Sequence, residues 1–196
     1  MKSNFNVLGV AGSTRQGSYS TQALKIALEY AKKHGAEVRL LELNRIVLPL
    51  YDPTAPVLKE VEHAAEAITW ADAFILASPD YHGSMSGAIK NFLDHFYEEF
   101  AGKLFGYIVA SHEKGLTVMD QMRTVVRQCY GWSMPYGVSI NGSQDFISRE
   151  QANSKLSSRL QMMSRDLVVY GRLVRDQFVR DLSSREKDTF AAHYRS

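Results

Sequence analysis

The strongest constraint in this chain is an alternation. Short, nearly unbroken apolar runs are separated by segments whose apolar residues return every three or four positions. Phe5–Ala11 is the first run, stopped by Gly12; Ala73–Ala77 is fully apolar, and Leu104–Ala110 nearly so. Glu37–Leu43 reads as a strand with partial alternation, and Tyr136–Ile140 as a shorter, weaker one. Between them, Leu24, Ala27, Leu28 and Ala31 keep helical spacing from Tyr19 to His34. Val57, Val61, Ala65 and Ile68 do so up to Trp70, then Ile89, Phe92, Leu93 and Phe96, and then Met119, Met122 and Val126. A final pattern from Leu156 to Phe178 predicts a helix over Arg149 to about Asp181, with Ser148 and Gln151 as its capping box. Strands alternating with helices of this length predict βαβ units and a parallel sheet. Apolar runs without polar gaps predict a sheet covered on both faces.

Right-handed crossovers turn that order into a three-layer α/β/α sandwich. Five strands favour a flavodoxin-like order over a six-stranded dinucleotide fold. With 196 residues, the chain supports one domain, over 1–182, and a tail over 183–196 in which Ser183 and Glu186 open a short helix. Cys129 is the sole cysteine, so intrachain disulfides and multi-cysteine metal or iron–sulfur sites are excluded, and the composition suits a reducing cytoplasm. The six histidines are scattered without metal-ligand spacing. A net charge of +2 and a pI of 8.6 argue against a nucleic-acid partner. No stretch reaches the ~20 apolar residues of a membrane span, and no apolar signal region precedes the first strand.

In an open α/β sheet, ligands bind beyond the carboxyl ends of the strands. The loop after strand one is Gly12-Ser13-Thr14-Arg15-Gln16-Gly17-Ser18, and it runs through Tyr19, Ser20 and Thr21 into a helix. Hydroxyls, a guanidinium and free helix-start N–H groups make a phosphate cradle. Gly12 and Gly17 have Walker A spacing, but Ser18 stands where that loop needs lysine. Gly9-Val10-Ala11-Gly12 lacks the dinucleotide fingerprint. A monophosphate fits better. The plain alternative is a polar turn with a serine cap, but an arginine among so many hydroxyls exceeds what capping requires.

The loop after strand three is Ser78-Pro79-Asp80-Tyr81-His82-Gly83-Ser84-Met85-Ser86-Gly87. Pro79 ends the strand, Tyr81 and His82 can stack on a ring, and glycines let backbone N–H groups approach a heterocycle. The alternative is a turn with surface aromatics. His82 is either a wall of the pocket or a proton donor. A phosphate loop beside a ring-binding loop predicts a mononucleotide, and flavin mononucleotide (FMN) has both parts. Ser111, after strand four, is placed to donate to the polar edge of a flavin or to lie in a surface loop.

Gly12-Ser13-Thr14-Arg15-Gln16-Gly17-Ser18 resembles the phosphate loop of the NADPH-dependent FMN reductase family. Ser78–Asp94 resembles that family's S-P-x-Y-x-x-S-x-x-G-x-x-K-N-x-L-D block, the more specific of the two motifs. The resemblance covers about the first 110 residues. It implies a flavodoxin-like fold, non-covalent FMN and a homodimer or homotetramer. It also implies that Ser13, Arg15, Ser18 and Ser20 hold the phosphate, and that Pro79, Asp80, Tyr81, His82 and Gly83 border the flavin ring. Tyr19, at the helix start, joins this candidate set.

The expected function is a hydride relay from NADPH or NADH through FMN to a small acceptor: a quinone, free flavin, azo dye or metal oxyanion. The alternative is a flavodoxin-type electron carrier without fast nicotinamide turnover. Carriers tend to be acidic, against which the pI argues. Phe92, Phe96, Tyr97 and Phe100 are dense for one helix, and the surplus is expected at a subunit contact; Trp132–Tyr136 is placed to reach a partner's flavin site. Cys129 is expected to be a structural thiol.

Overall fold

A computed structural model describes residues 4–195. The strands are β1 (Phe5–Ala11), β2 (Ala36–Glu42), β3 (Ala73–Pro79), β4 (Leu104–Ala110), β5 (Trp132–Ser133) and β6 (Val138–Ile140). The helices are α1 (Tyr19–Lys33), α2 (Lys59–Trp70), α3 (Gly87–Asp94), α4 (Leu116–Gln128), the short α5 (Gly142–Asp145) and α6 (Ser154–Ser183). All pairings are parallel, and the order is β2-β1-β3-β4-β5, the flavodoxin-like arrangement.

The fifth position is split. β5 pairs with Leu104–Phe105 and β6 with Ile108–Ala110, both on the outer edge of β4. Trp132 N and Met134 N donate to Lys103 O and Phe105 O, and residues 134–137 then stand opposite only residues 106–107 of β4, which breaks the ladder. The strand expected over Tyr136–Ile140 begins at Val138.

Strand alternation sorts the core into two layers. Leu8, Val10, Phe74, Leu76, Phe105, Tyr107 and Val109 face α2, α3 and α4. Phe5, Val7, Ala73, Ile75, Leu104 and Ile108 face α1 and α6. Each large side chain buried this way contributes roughly 1.5–3 kcal/mol. Burial on both faces is why β1, β3 and β4 read as continuous apolar runs.

Three expectations are corrected here. α6 begins at Ser154, not Arg149, because Asn153 is its cap: Asn153 Oδ1 accepts from Leu156 N at 2.8 Å. Ser148 and Gln151 instead form a turn whose flanks, Phe146 and Ala152, bridge as an antiparallel pair. α6 then runs through Ser183, and the terminal helix is a 3-10 turn over Phe190–Tyr194. Finally, α3 ends at Asp94, and the chain turns so that Phe92, Phe96 and Phe100 are all buried in the core around Phe74. Of the four aromatics expected to include a subunit contact, Tyr97 alone is exposed, packed edge-on to Tyr130.

Candidate active site

The loop after β1 is tied down before it offers anything to a ligand. Gly12 N donates to Ala77 O at 2.8 Å, and Ser86 Oγ donates to Gly12 O at 2.7 Å. A Cβ at Gly12 would lie 2.0 Å from Ile89 Cγ1, so only glycine lets the loop sit this close to α3. Ser18 caps α1, its hydroxyl accepting from Thr21 N at 3.3 Å and lying 2.9 Å from Thr21 Oγ1 and 3.3 Å from Ser20 Oγ. Ser13 and Ser20 are buried. The first turn of α1 holds no acidic residue, so its positive dipole end is left uncompensated.

The loop after β3 makes a tight turn. Tyr81 and Ser84 exchange backbone hydrogen bonds of 3.0 and 3.1 Å around His82 and Gly83, whose φ values are 58° and 75°. Two consecutive left-handed residues define a type I′ turn. Asp80 fixes it: Oδ1 accepts from Gly83 N and Oδ2 from Ser111 Oγ, both at 2.8 Å. Gln121 of α4 holds the other side, its Oε1 accepting from Ser84 Oγ at 3.0 Å and Met85 N at 3.1 Å. The proton of Ser111 is thus committed to Asp80, so this hydroxyl braces two loops and is no free donor for a ring edge.

Ser13, Arg15, Ser18, Tyr19 and Ser20 meet Pro79, Asp80, Tyr81 and Ser111 in one cavity of about 450 Å³. His82 and Gly83, at the tip of the turn, are not among its lining residues. Gly17, Ala110 and His112 also line it, and Gly142, Ser143 and Arg149 complete the wall. None of these last three was foreseen; the helix expected from Arg149 placed that residue away from the site. Tyr19 stacks obliquely on Phe146 with ring centroids 5.2 Å apart, joining the phosphate-type loop to the segment after β6.

A larger cavity, about 670 Å³, lies at the opposite end of the sheet among Asn4, Asp72 and Arg175. There Arg175 is paired with Asp72 at 3.2 Å, Arg180 donates to Gln177 Oε1 at 2.8 Å, and among the described residues no hydroxyl-rich helix start lines the cavity, so the chemistry favours the smaller one. Among the described residues, neither Arg15 nor Arg149 pairs with a carboxylate. Donors without acceptors, gathered at a helix start, are the chemistry of an anion site. The same cavity extends past a proline-stiffened turn and an exposed tyrosine, room for a planar group beside the anion.

Among the described residues no histidine, cysteine and carboxylate cluster is able to hold a metal, and no helix is long and apolar enough to cross a membrane. Cys129 is buried, with Sγ 3.9 Å from Phe96 O, and burial pushes its thiol pKa up, as befits a structural thiol.

Comparison with known proteins agrees with this geometry. Residues 5–145 match the family model described as NADPH-dependent FMN reductase. An NAD(P)H-dependent FMN reductase of Pseudomonas aeruginosa is 37% identical over 97 residues, 48% of this chain and 51% of that enzyme, so the match spans about half its length. An FMN-dependent NADPH-azoreductase of Staphylococcus aureus is 29% identical over 169 residues, 80% of this chain and 87% of that one. In fold, the chain is similar to FerB, a flavoenzyme NAD(P)H:acceptor oxidoreductase of Paracoccus denitrificans. The TM-score is 0.73 at 20% identity, covering 86% of this chain and 98% of FerB. With a matching family model over most of its length, the chain belongs to the NADPH-dependent FMN reductase family.

Proposed function

We propose that the 450 Å³ cavity is the FMN site of an NAD(P)H-dependent oxidoreductase that reduces a small acceptor. The acceptor class is a quinone, free flavin, azo dye or metal oxyanion; the azoreductase relative supports including azo compounds. FMN held there would supply the hydride-transfer chemistry between NAD(P)H and the acceptor.

The residues of the chain do the positioning. Ser13, Ser18 and Ser20 with the N–H groups of α1 hold the phosphate, and Arg15 neutralises it. Pro79 and Tyr81 border the ring. Asp80, held by Gly83 N and Ser111 Oγ, keeps the two flanking loops in register. His82 lies at the turn tip and is assigned no proton transfer. No protein nucleophile is needed, and the nicotinamide needs no dinucleotide fingerprint because it binds only in passing.

The observation that carries this reading is the convergence of four segments, distant in sequence, on one concavity lined by two arginines that have no carboxylate partner among the described residues. The reading includes a homodimer or homotetramer in the cytoplasm. Large apolar side chains left exposed, Leu50 and Val57 before α2 and Leu173 on α6, support association.

Mixing the purified, flavin-loaded protein with NADPH in a stopped-flow instrument tests it. Rapid bleaching of the flavin band, and its return on adding a quinone, is the expected result. Slow bleaching would make the chain an electron carrier, and a protein that takes up no FMN would overturn the reading.

A further inference from the structure

Arg149 lies outside residues 5–145, the part matched by the family model, and before the helix that its sequence context suggested. Its placement is nevertheless built. Phe146, buried, packs on Tyr19 of the first turn of α1, and it bridges to Ala152 across the turn. Ile147 N donates to Gln151 O at 2.8 Å, and Asn153 N to Asp145 O at 2.8 Å, closing the turn from within. Arg149 stands at the tip of that turn. Its guanidinium carbon lies 3.7 Å from the point where a side chain on Gly17 would begin. Gly17, with φ of +67° and no side chain, leaves the approach to the phosphate-type loop open on this side.

Two arginines therefore line one small cavity. Neighbouring Glu150 pairs with neither among the described residues. Like charges gathered without a counter-ion repel each other, and a dianion between them reverses the sign of that energy. A phosphate monoester carries nearly two negative charges near neutral pH, matching two guanidinium groups where one leaves a residue of charge.

Resting on the reading of this cavity as the FMN site, we infer that Arg149 is a second ligand of the cofactor phosphate, delivered over Gly17 by the turn between Phe146 and Ala152. The chain thereby selects the phosphorylated flavin over riboflavin with two arginines from opposite ends of the domain's sequence.

The test compares dissociation of FMN and of riboflavin, read from recovered flavin fluorescence as the loaded protein is diluted. Arg149→Ala is expected to weaken FMN about tenfold, scaled for a partly exposed charge-assisted pair. Riboflavin affinity is expected to stay unchanged, and Arg149→Lys to restore part of the loss. Because Arg149 is exposed, an unchanged melting temperature of the flavin-free protein is expected too. The inference is overturned if Arg15→Ala weakens FMN and Arg149→Ala does not, or if Arg149→Ala weakens FMN and riboflavin equally. It is also overturned if the KM for NADPH rises against that for NADH while FMN affinity holds, which would assign the arginine to another phosphate. If neither arginine distinguishes FMN from riboflavin, the anion-site reading itself falls.

Discussion

The two ends of the sheet use the same residue types to opposite purpose. At the amino end, Arg175 of α6 meets Asp72 at 3.2 Å and Asp176 at 2.8 Å, and donates to Asn4 O at 3.0 Å. Lys103 donates to Ile68 O at 2.8 Å, satisfying a carbonyl in the last turn of α2. Phe178 covers Gly102, and Phe190 and Tyr194 of the terminal turn pack around it and Tyr130. At the carboxyl end, Arg15 and Arg149 stay unpaired among the described residues, hydroxyls cluster at a helix start, and His82 is held in a left-handed conformation. Arg175, paired, ties α6 to the sheet; Arg15 and Arg149, with no carboxylate partner among the described residues, leave their charge to the concavity.

The comparison breaks most sharply on Phe100. It is fully buried at the amino end, with ring centroids 5.4 Å from both Phe74 and Phe105. Phe100→Ala is expected to cost about 3–5 kcal/mol of stability, the range for emptying an aromatic site in a core. Urea denaturation of the flavin-free protein reads this. A normal unfolding midpoint combined with a smaller assembly would return the residue to the subunit contact that its spacing first suggested.

Arg15→Ala probes the opposite end, with a smaller effect of a different kind. Loss of its charge-assisted bonds is expected to weaken FMN by about 2 kcal/mol, roughly thirtyfold, the low end for truncating a paired charge. The stability of the flavin-free protein is expected to stay put, because Arg15 is exposed and pairs with no carboxylate among the described residues. Loss of stability with unchanged FMN affinity would mean that the two ends are not divided as described.

What the sequence made legible follows the same division. β1, β3 and β4 were readable because burial on both faces leaves no room for a polar residue. Both candidate binding loops were readable because glycine, proline and hydroxyls cluster where strands stop. Ser13, Arg15 and Asp80 needed only local context. Arg149 and Gln121 did not declare themselves, since each reaches the site from an element whose local pattern is merely helical or polar. The start of α6 was misread because Ser148 and Gln151 form a plausible cap, while the pairing of Phe146 with Ala152 gives the true helix start to Asn153. The split of the fifth strand depended on residues 134–137 facing only residues 106–107 of β4, a tertiary fact.

The smallest effect sharpens the amino end and has a definite sign. Burial drives the pKa of Lys103 down from 10.5 to about 8, against the opposing pull of Asp72 and Glu99. In the unfolded chain the ammonium keeps its proton up to the ordinary value; in the fold it gives it up near 8. Between those limits the unfolded state binds more protons, so raising the pH favours the native state. Below about 8 both states are protonated and the penalty is constant. Burial also raises the pKa of Cys129 above its ordinary 9.0 and that of Tyr107 above the ordinary tyrosine range; each makes the fold lose stability as the pH climbs through that range, so the clean window closes before pH 9. Unfolding free energies from urea denaturation at pH 7.5 and 8.5 are expected to differ by about 0.5 kcal/mol in favour of the higher pH, discounted for the side chain's partial exposure. Lys103→Met removes the titrating group and is expected to flatten the slope. A wild-type profile as flat as the variant's would show that Lys103 keeps its proton in the fold, and that desolvation at this end is too weak to displace it.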